Sequence, residues 1–155
     1  MKKFIEKQKV FDLTLKFLSF LSNWKLTAKL IPPITGSLAT LNLLLNKPQY
    51  ASELGALANS WKKVMPPDGQ EYFKISEITE ETAFVEIHLH CPLRGTGKVK
   101  SCYSFMNCDR TLIRKIGGSL TVLESQSNSG RPYCKLAVRK LNISTDDLIP
   151  AHLKE

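Results

Sequence analysis

Two groups of side chains in this sequence are of types that carry out chemistry: the dipeptide Cys108-Asp109 and the pair His88 and His90. A cysteine attacks as its thiolate, and a neighbouring imidazole favours the thiolate by taking up its proton. A carboxylate such as Asp109 can orient a base or bind a substrate amine. We therefore predict that Cys108 is a catalytic nucleophile, assisted by Asp109 and His90. The competing interpretation is a buried, unreactive cysteine, which is the commoner role of this residue.

The two histidines also raise the question of a metal site. They are two residues apart in a predicted strand, so their side chains share one face, and such pairs can bind zinc. Cys91, Cys108 or Cys134 could complete the ligand set, but the sequence contains no C-x-x-C pair. A histidine pair on the polar side of a strand is more often part of the surface. We therefore predict no metal site, and the sequence assigns no cofactor.

A glycine-rich loop, Cys91-Pro92-Leu93-Arg94-Gly95-Thr96-Gly97, precedes a predicted helix. Glycines let a backbone approach a ligand, and the amides at a helix N-terminus favour anions. Arg94 could contact a carboxylate or a phosphate through two hydrogen bonds. The loop lacks the Gly-Lys-[Ser/Thr] ending of a nucleotide-binding loop, and an ordinary strand-to-helix connection is the alternative. The predicted ligand-binding residues are Arg94, Gly95, Gly97, Cys134 and His88.

The elements that must position these residues change in type near residue 70. Apolar residues at helical spacing predict helices over residues 3–22, 37–45 and 53–64. Pro32-Pro33 is predicted to interrupt helical structure before the second of these helices. The apolar period then becomes two, which is typical of strands. The predicted order is strand 72–78, strand 82–91, helix 98–116, strand 120–124 and strand 133–141.

This order predicts an α+β fold. Two hairpins on either side of one helix favour an antiparallel sheet with helices packed on one face, and the N-terminal helices complete the core or form a dimer interface. A chain of 155 residues is long enough to bury one core without disulfides. We therefore predict a single domain, residues 1–155, with a helical part at 1–66 and a β-β-α-β-β part at 70–141.

A content of 43% hydrophobic residues excludes a disordered chain. The net charge of +8 is unevenly distributed along the sequence. Residues 1–50 contain eight lysines and no arginine against Glu6 and Asp12, a net charge of +6. Lysines among aliphatic residues indicate a membrane surface or a partner helix more than nucleic acid, and no nucleic-acid-binding motif occurs. Solvated helix faces are the plainer alternative. We predict that the protein binds a small molecule and does not bind nucleic acid. We also predict that it forms a homo-oligomer and is able to contact a membrane peripherally.

The expected location is the cytoplasm. The N-terminal segment has no uninterrupted apolar region with a cleavage signal, because Asp12 and Lys16 interrupt it. The longest charge-free run, residues 30–46, contains Pro32-Pro33 and is short for a membrane span of about 20 residues. The four cysteines are accordingly expected to be free thiols.

Two motifs bear a family resemblance. Asn107-Cys108-Asp109 in a helix, followed by Gly130 and by Tyr133-Cys134-Lys135-Leu136 in a strand, resembles the bacterial 2-aminothiazoline-4-carboxylate hydrolase family. Cys91-Pro92 with the late Gly…Cys strand also resembles the 4-vinyl reductase domain. The resemblance covers roughly residues 70–140. It implies a helix-flanked antiparallel sheet and a small-molecule site lined by Cys134.

Two functions from different classes are therefore expected. The first is a cysteine-dependent hydrolase of carbon–nitrogen or carbon–sulfur bonds, in which Arg94 holds an acid group of the substrate. The second is a non-enzymatic ligand-binding or adaptor module, whose basic, apolar N-terminal helices dimerise or contact a membrane. The positions of His88 and His90 relative to the cysteines discriminate between them, because the only other histidine, His152, is in the C-terminal tail.

Overall fold

The computed structural model describes residues 13, 16, 17, 20, 30–48, 50–65 and 69–154. Apart from those four isolated positions, which are helical, the helix predicted over residues 3–22 lies outside the described residues. The described chain has the predicted α+β fold. Helices precede the first strand in the sequence, and helices pack against a four-stranded antiparallel sheet.

The first continuous helix, α1, spans Ile31–Asn46, and the second, α2, spans Leu54–Lys63. The prediction that Pro32-Pro33 stops the chain before a helix at residue 37 is wrong, because both prolines lie in the first turn of α1. A proline there loses no hydrogen bond, since the first N–H groups of a helix have no intrahelical partner, and its φ is already helical. Lys47 ends α1 in the left-handed region, with φ of 42°.

The sheet consists of β1 (Phe73–Ile78), β2 (Ala83–Ile87), β3 (Gly118–Glu124) and β4 (Cys134–Lys140), in the order β1-β2-β4-β3. The predicted second strand is therefore too long. Ile87 is the last residue of β2 because it pairs with Phe73 and Cys134, the first residues of the two neighbouring antiparallel strands. His88 and His90 consequently lie beyond the strand rather than within it.

The single helix predicted over residues 98–116 is instead two helices, α3 (Val99–Phe105) and α4 (Asn107–Lys115). Met106 separates the two helices: its ψ is 2°, although its N–H still donates to the carbonyl of Cys102 as in a helix. The break is supported from outside, because the Asn107 side-chain amide donates to the Pro32 carbonyl in α1 at 2.9 Å. A contact 75 residues apart cannot be deduced from apolar periodicity.

The core lies between the sheet and the helices. α2 contacts β1, β2 and β4, α4 packs on β3, and α1 packs on α4. The alternation predicted for β2 is confirmed, since Ala83, Val85 and Ile87 are buried. The largest fully buried apolar side chains are Trp61, Leu57, Leu112, Ile113 and Leu136.

Gly118 lets Leu57 of α2 pack closely against the sheet. A Cβ atom at this position would lie 2.5 Å from Leu57 Cδ2 and 2.9 Å from the backbone oxygen of Arg139. We expect Gly118→Ala to lower the free energy of unfolding by about 1–3 kcal/mol in urea denaturation, because the backbone oxygen cannot move aside cheaply. Gly55→Ala in α2 is the matched control: its Cβ would lie 3.5 Å from Ile78 Cδ1, an ordinary contact. Since alanine favours helix, an equal loss in both variants would contradict the steric explanation.

Candidate functional site

An apolar cavity of about 430 Å³ lies between α1, the sheet and the break between α3 and α4. Its volume is in the usual range for small-molecule sites. Hydrocarbon side chains from every surrounding element form most of its wall. They include Leu38 and Leu41 from α1, Phe73 and Leu89 from the sheet side, and Phe105 and Met106 at the helix break.

Asp109 supplies a carboxyl group to this apolar wall. It lies in the first turn of α4, and its Oδ1 accepts a hydrogen bond of 3.0 Å from Trp61 Nε1 in α2. Burial raises the pKa of Asp109 from 3.8 to about 6, although the Trp61 hydrogen bond and the charge of Arg110 act in the opposite direction. Asp109 therefore changes charge near pH 6 inside a mainly hydrophobic cavity.

All four cysteines line the same cavity, although they come from four different parts of the chain. Cys91 follows β2, Cys102 lies in α3, Cys108 lies in the first turn of α4 and Cys134 begins β4. All four are free thiols. Among the described residues no group of three His, Cys, Asp or Glu side chains is arranged to hold a metal ion.

The thiols are held in their neutral form. Burial, followed by the negative charge of Asp109, raises the pKa of Cys108 to about 12. Burial likewise raises the pKa of Cys134 to about 12 and the pKa values of Cys91 and Cys102 above their usual value. Because only the thiolate attacks a substrate or binds a metal strongly, this environment suits a lining surface better than a nucleophile.

The two histidines lie in different surroundings. His90 lines the cavity that Cys108 and Asp109 also line. His88 is not among the residues that line it: its Nε2 lies 2.8 Å from Glu86 Oε2, and its ring packs on the ring of Tyr133 at 5.0 Å. The structure thus brings together the three predicted catalytic residues in one cavity, and it places the predicted ligand-binding residue His88 elsewhere.

The glycine-rich loop is bound to the protein rather than open to a ligand. Arg94 Nε donates to Gln126 Oε1 at 2.8 Å, and Arg94 Nη2 donates to the Pro132 carbonyl at 2.8 Å. The backbone amides of Gly95 and Gly97 donate to the carbonyls of Gln126 and Ser127. Arg94, Gly95 and Gly97 do not line the cavity. Of the predicted ligand-binding residues, Cys134 is the one that does.

Gln126 and Trp61 are two residues of the site that the sequence patterns do not indicate. Gln126 is 1% exposed and its side-chain amide donates to the carbonyl of Leu89 at 2.8 Å, which ties the end of β2 to the turn after β3. In the sequence it stands in a Ser-, Asn- and Gly-rich stretch that is typical of an exposed turn. The carboxyl partner of Trp61 lies 48 residues away, so no local pattern reveals it.

No family model, curated protein or solved structure matches this chain. The resemblance of residues 70–140 to the 2-aminothiazoline-4-carboxylate hydrolase family and to the 4-vinyl reductase domain therefore stays an expectation.

Proposed function

We propose that this protein is a small-molecule-binding domain that holds an apolar ligand in the cavity between α1 and the sheet, without converting it chemically. The observation that carries the proposal is the cavity itself: about 430 Å³ with a wall that is mainly aliphatic, aromatic and neutral thiol. Such a wall gains free energy by removing hydrocarbon surface from water and offers few groups to a strongly polar ligand.

His90 lines the same cavity as Cys108, as the hydrolase alternative requires, but the environment of the Cys108 thiol favours binding. With a pKa of about 12, its thiol is almost entirely protonated at neutral pH. The nearby carboxylate of Asp109 adds negative charge, which opposes a thiolate instead of stabilising it. The Arg94 guanidinium, which the hydrolase hypothesis needs for a substrate carboxylate, is already bonded to Gln126 and Pro132.

We also propose a location in the cytoplasm, which the free thiols support. All four cysteines are free, and free buried thiols persist in a reducing compartment. Alternatively, we propose that two copies of the chain associate through exposed surfaces of their helices.

Binding is tested with N-phenyl-1-naphthylamine, a neutral apolar probe whose fluorescence increases in a hydrophobic site. We expect saturable binding to the full chain. Leu89→Trp puts a larger side chain into the cavity and should weaken binding about tenfold or more, equivalent to about 1.4 kcal/mol.

Leu141→Trp is the matched control, because Leu141 is 51% exposed and does not line the cavity. Circular dichroism and the urea midpoint show whether each variant is folded. Equal affinity of the two folded variants for the probe would place binding outside the cavity and contradict the proposed function.

A further inference from the structure

The outer side of α1 exposes a continuous row of large aliphatic residues. Thr35 and Ala39 on the opposite side of α1 are buried against the protein. The exposed residues recur every three or four positions and therefore share one face. We call them the outer face of α1: Leu30, Ile34, Leu38, Leu41, Leu44 and Leu45.

This face is unusual for a helix in water. Leu44 is 67% exposed and Leu45 74%, and the 16 residues of α1 contain no charged side chain at all. A solvated helix normally carries charged residues on its outer face, and a contiguous apolar patch usually marks a contact with a partner or a membrane. None of the described helices is long and apolar enough to cross a bilayer.

The charge around α1 distinguishes between a lipid surface and a second copy of the chain. Lys29 precedes the outer face in sequence and Lys47 follows it, within a segment 1–50 whose net charge is +6. α1 carries no acidic side chain, so a symmetric dimer formed through this face would leave Lys47 of each copy without an opposite charge on the facing helix. Anionic lipid headgroups, by contrast, attract lysines that lie near the membrane surface.

We propose that the outer face of α1 docks on an anionic membrane surface, with the leucines in the interfacial region and Lys47, at the end of α1, on the lipid headgroups. Leu38, Leu41 and Leu45 belong both to this face and to the wall of the cavity. The docked orientation therefore puts one side of the cavity against the bilayer, and an apolar ligand can pass between the two without crossing water. Docking itself does not depend on the proposed function of the cavity.

The experiment is vesicle flotation of the full chain. Vesicles of phosphatidylcholine with about one third phosphatidylserine should carry the protein to the top of the gradient, and vesicles of phosphatidylcholine alone should carry much less. Raising the salt concentration to about 1 M should weaken binding, because the Debye length falls to about 3 Å.

Leu44→Asp is the test variant, since Leu44 lies on the outer face and does not line the cavity. We expect its affinity for the mixed vesicles to fall about tenfold or more, while its affinity for N-phenyl-1-naphthylamine in the absence of vesicles stays unchanged. The matched control is Ile149→Asp, at a position 60% exposed near the C-terminus, which should bind vesicles like the unsubstituted chain.

Three outcomes would overturn the proposal. They are equal binding to both kinds of vesicle, equal binding of Leu44→Asp and Ile149→Asp, and no binding by the unsubstituted chain. Light scattering resolves the last case further: a dimer that Leu44→Asp dissociates would assign the outer face to a second copy of the chain. Because the probe is measured without vesicles, failure of docking and failure of ligand binding are separate results.

Discussion

Trp61→Ala is expected to lower the free energy of unfolding by about 4 kcal/mol, because it removes the largest side chain in the core. Trp61 is fully buried, and its ring meets the ring of Phe73 edge to face at 5.2 Å. The truncation leaves a cavity in the centre of the core and also removes the indole N–H that donates to Asp109 Oδ1. Urea denaturation monitored by circular dichroism measures the loss.

Trp61→Phe separates packing from hydrogen bonding. Phenylalanine retains most of the apolar volume but cannot donate to Asp109, so a loss of about 1–3 kcal/mol is expected. The same variant should raise the pKa of Asp109 further, because the Trp61 hydrogen bond lowers it. If Trp61→Phe were as unstable as Trp61→Ala, the hydrogen bond would account for the whole effect and the packing explanation would be wrong.

The second large effect concerns pH and Asp109. Its pKa of about 6 in the folded protein is above the ordinary value of 3.8, so between these values the folded state retains a proton that the unfolded chain releases. The contribution of Asp109 to stability is therefore full below about pH 4 and decreases as the pH rises through about 6, by about 3 kcal/mol in total. The side chain in Asp109→Asn cannot ionise, so its contribution to stability does not change over this pH range.

The measurement is the difference in free energy of unfolding between Asp109→Asn and the unsubstituted chain, taken from about pH 4 to about pH 8. We expect a difference near zero at the acid end that grows in favour of the variant towards neutral pH. Carbon-13 NMR of the Asp109 carboxyl should give the same pKa of about 6 directly. A pH-independent difference between the two proteins would show that the carboxyl is not buried in the cavity.

The strands and their buried faces can be predicted because that information is local. In β2 the small and aliphatic residues Ala83, Val85 and Ile87 alternate with Phe84 and Glu86, and this period of two specifies which side faces the core. The hairpins follow from the turns between the strands, and the sheet is antiparallel as expected. The predicted start of α1 is wrong because proline breaks a helix interior and yet begins a helix well, and only the position of the first turn distinguishes the two.

The candidate site can be predicted only in part. Residue type alone points to Cys108, Asp109, His90 and Cys134, and these four do line one cavity. Arg94, by contrast, is expected from its type to hold a ligand, yet its guanidinium is bonded to Gln126, 32 residues away in the chain. Residue type indicates which groups are able to bind or react. Whether such a group is already hydrogen-bonded within the protein depends on residues that lie far away in the sequence.

The sequence by itself determined the α+β class, the order of the strands along the chain and the uneven charge, because hydrophobic periodicity and composition are properties of neighbouring residues. Only the tertiary structure decided that four cysteines meet at one cavity, that burial keeps the thiol of Cys108 protonated, and that leucines of the charge-free helix α1 are exposed. The physical reason is that pKa values and exposure depend on the solvent and charges around a group in three dimensions.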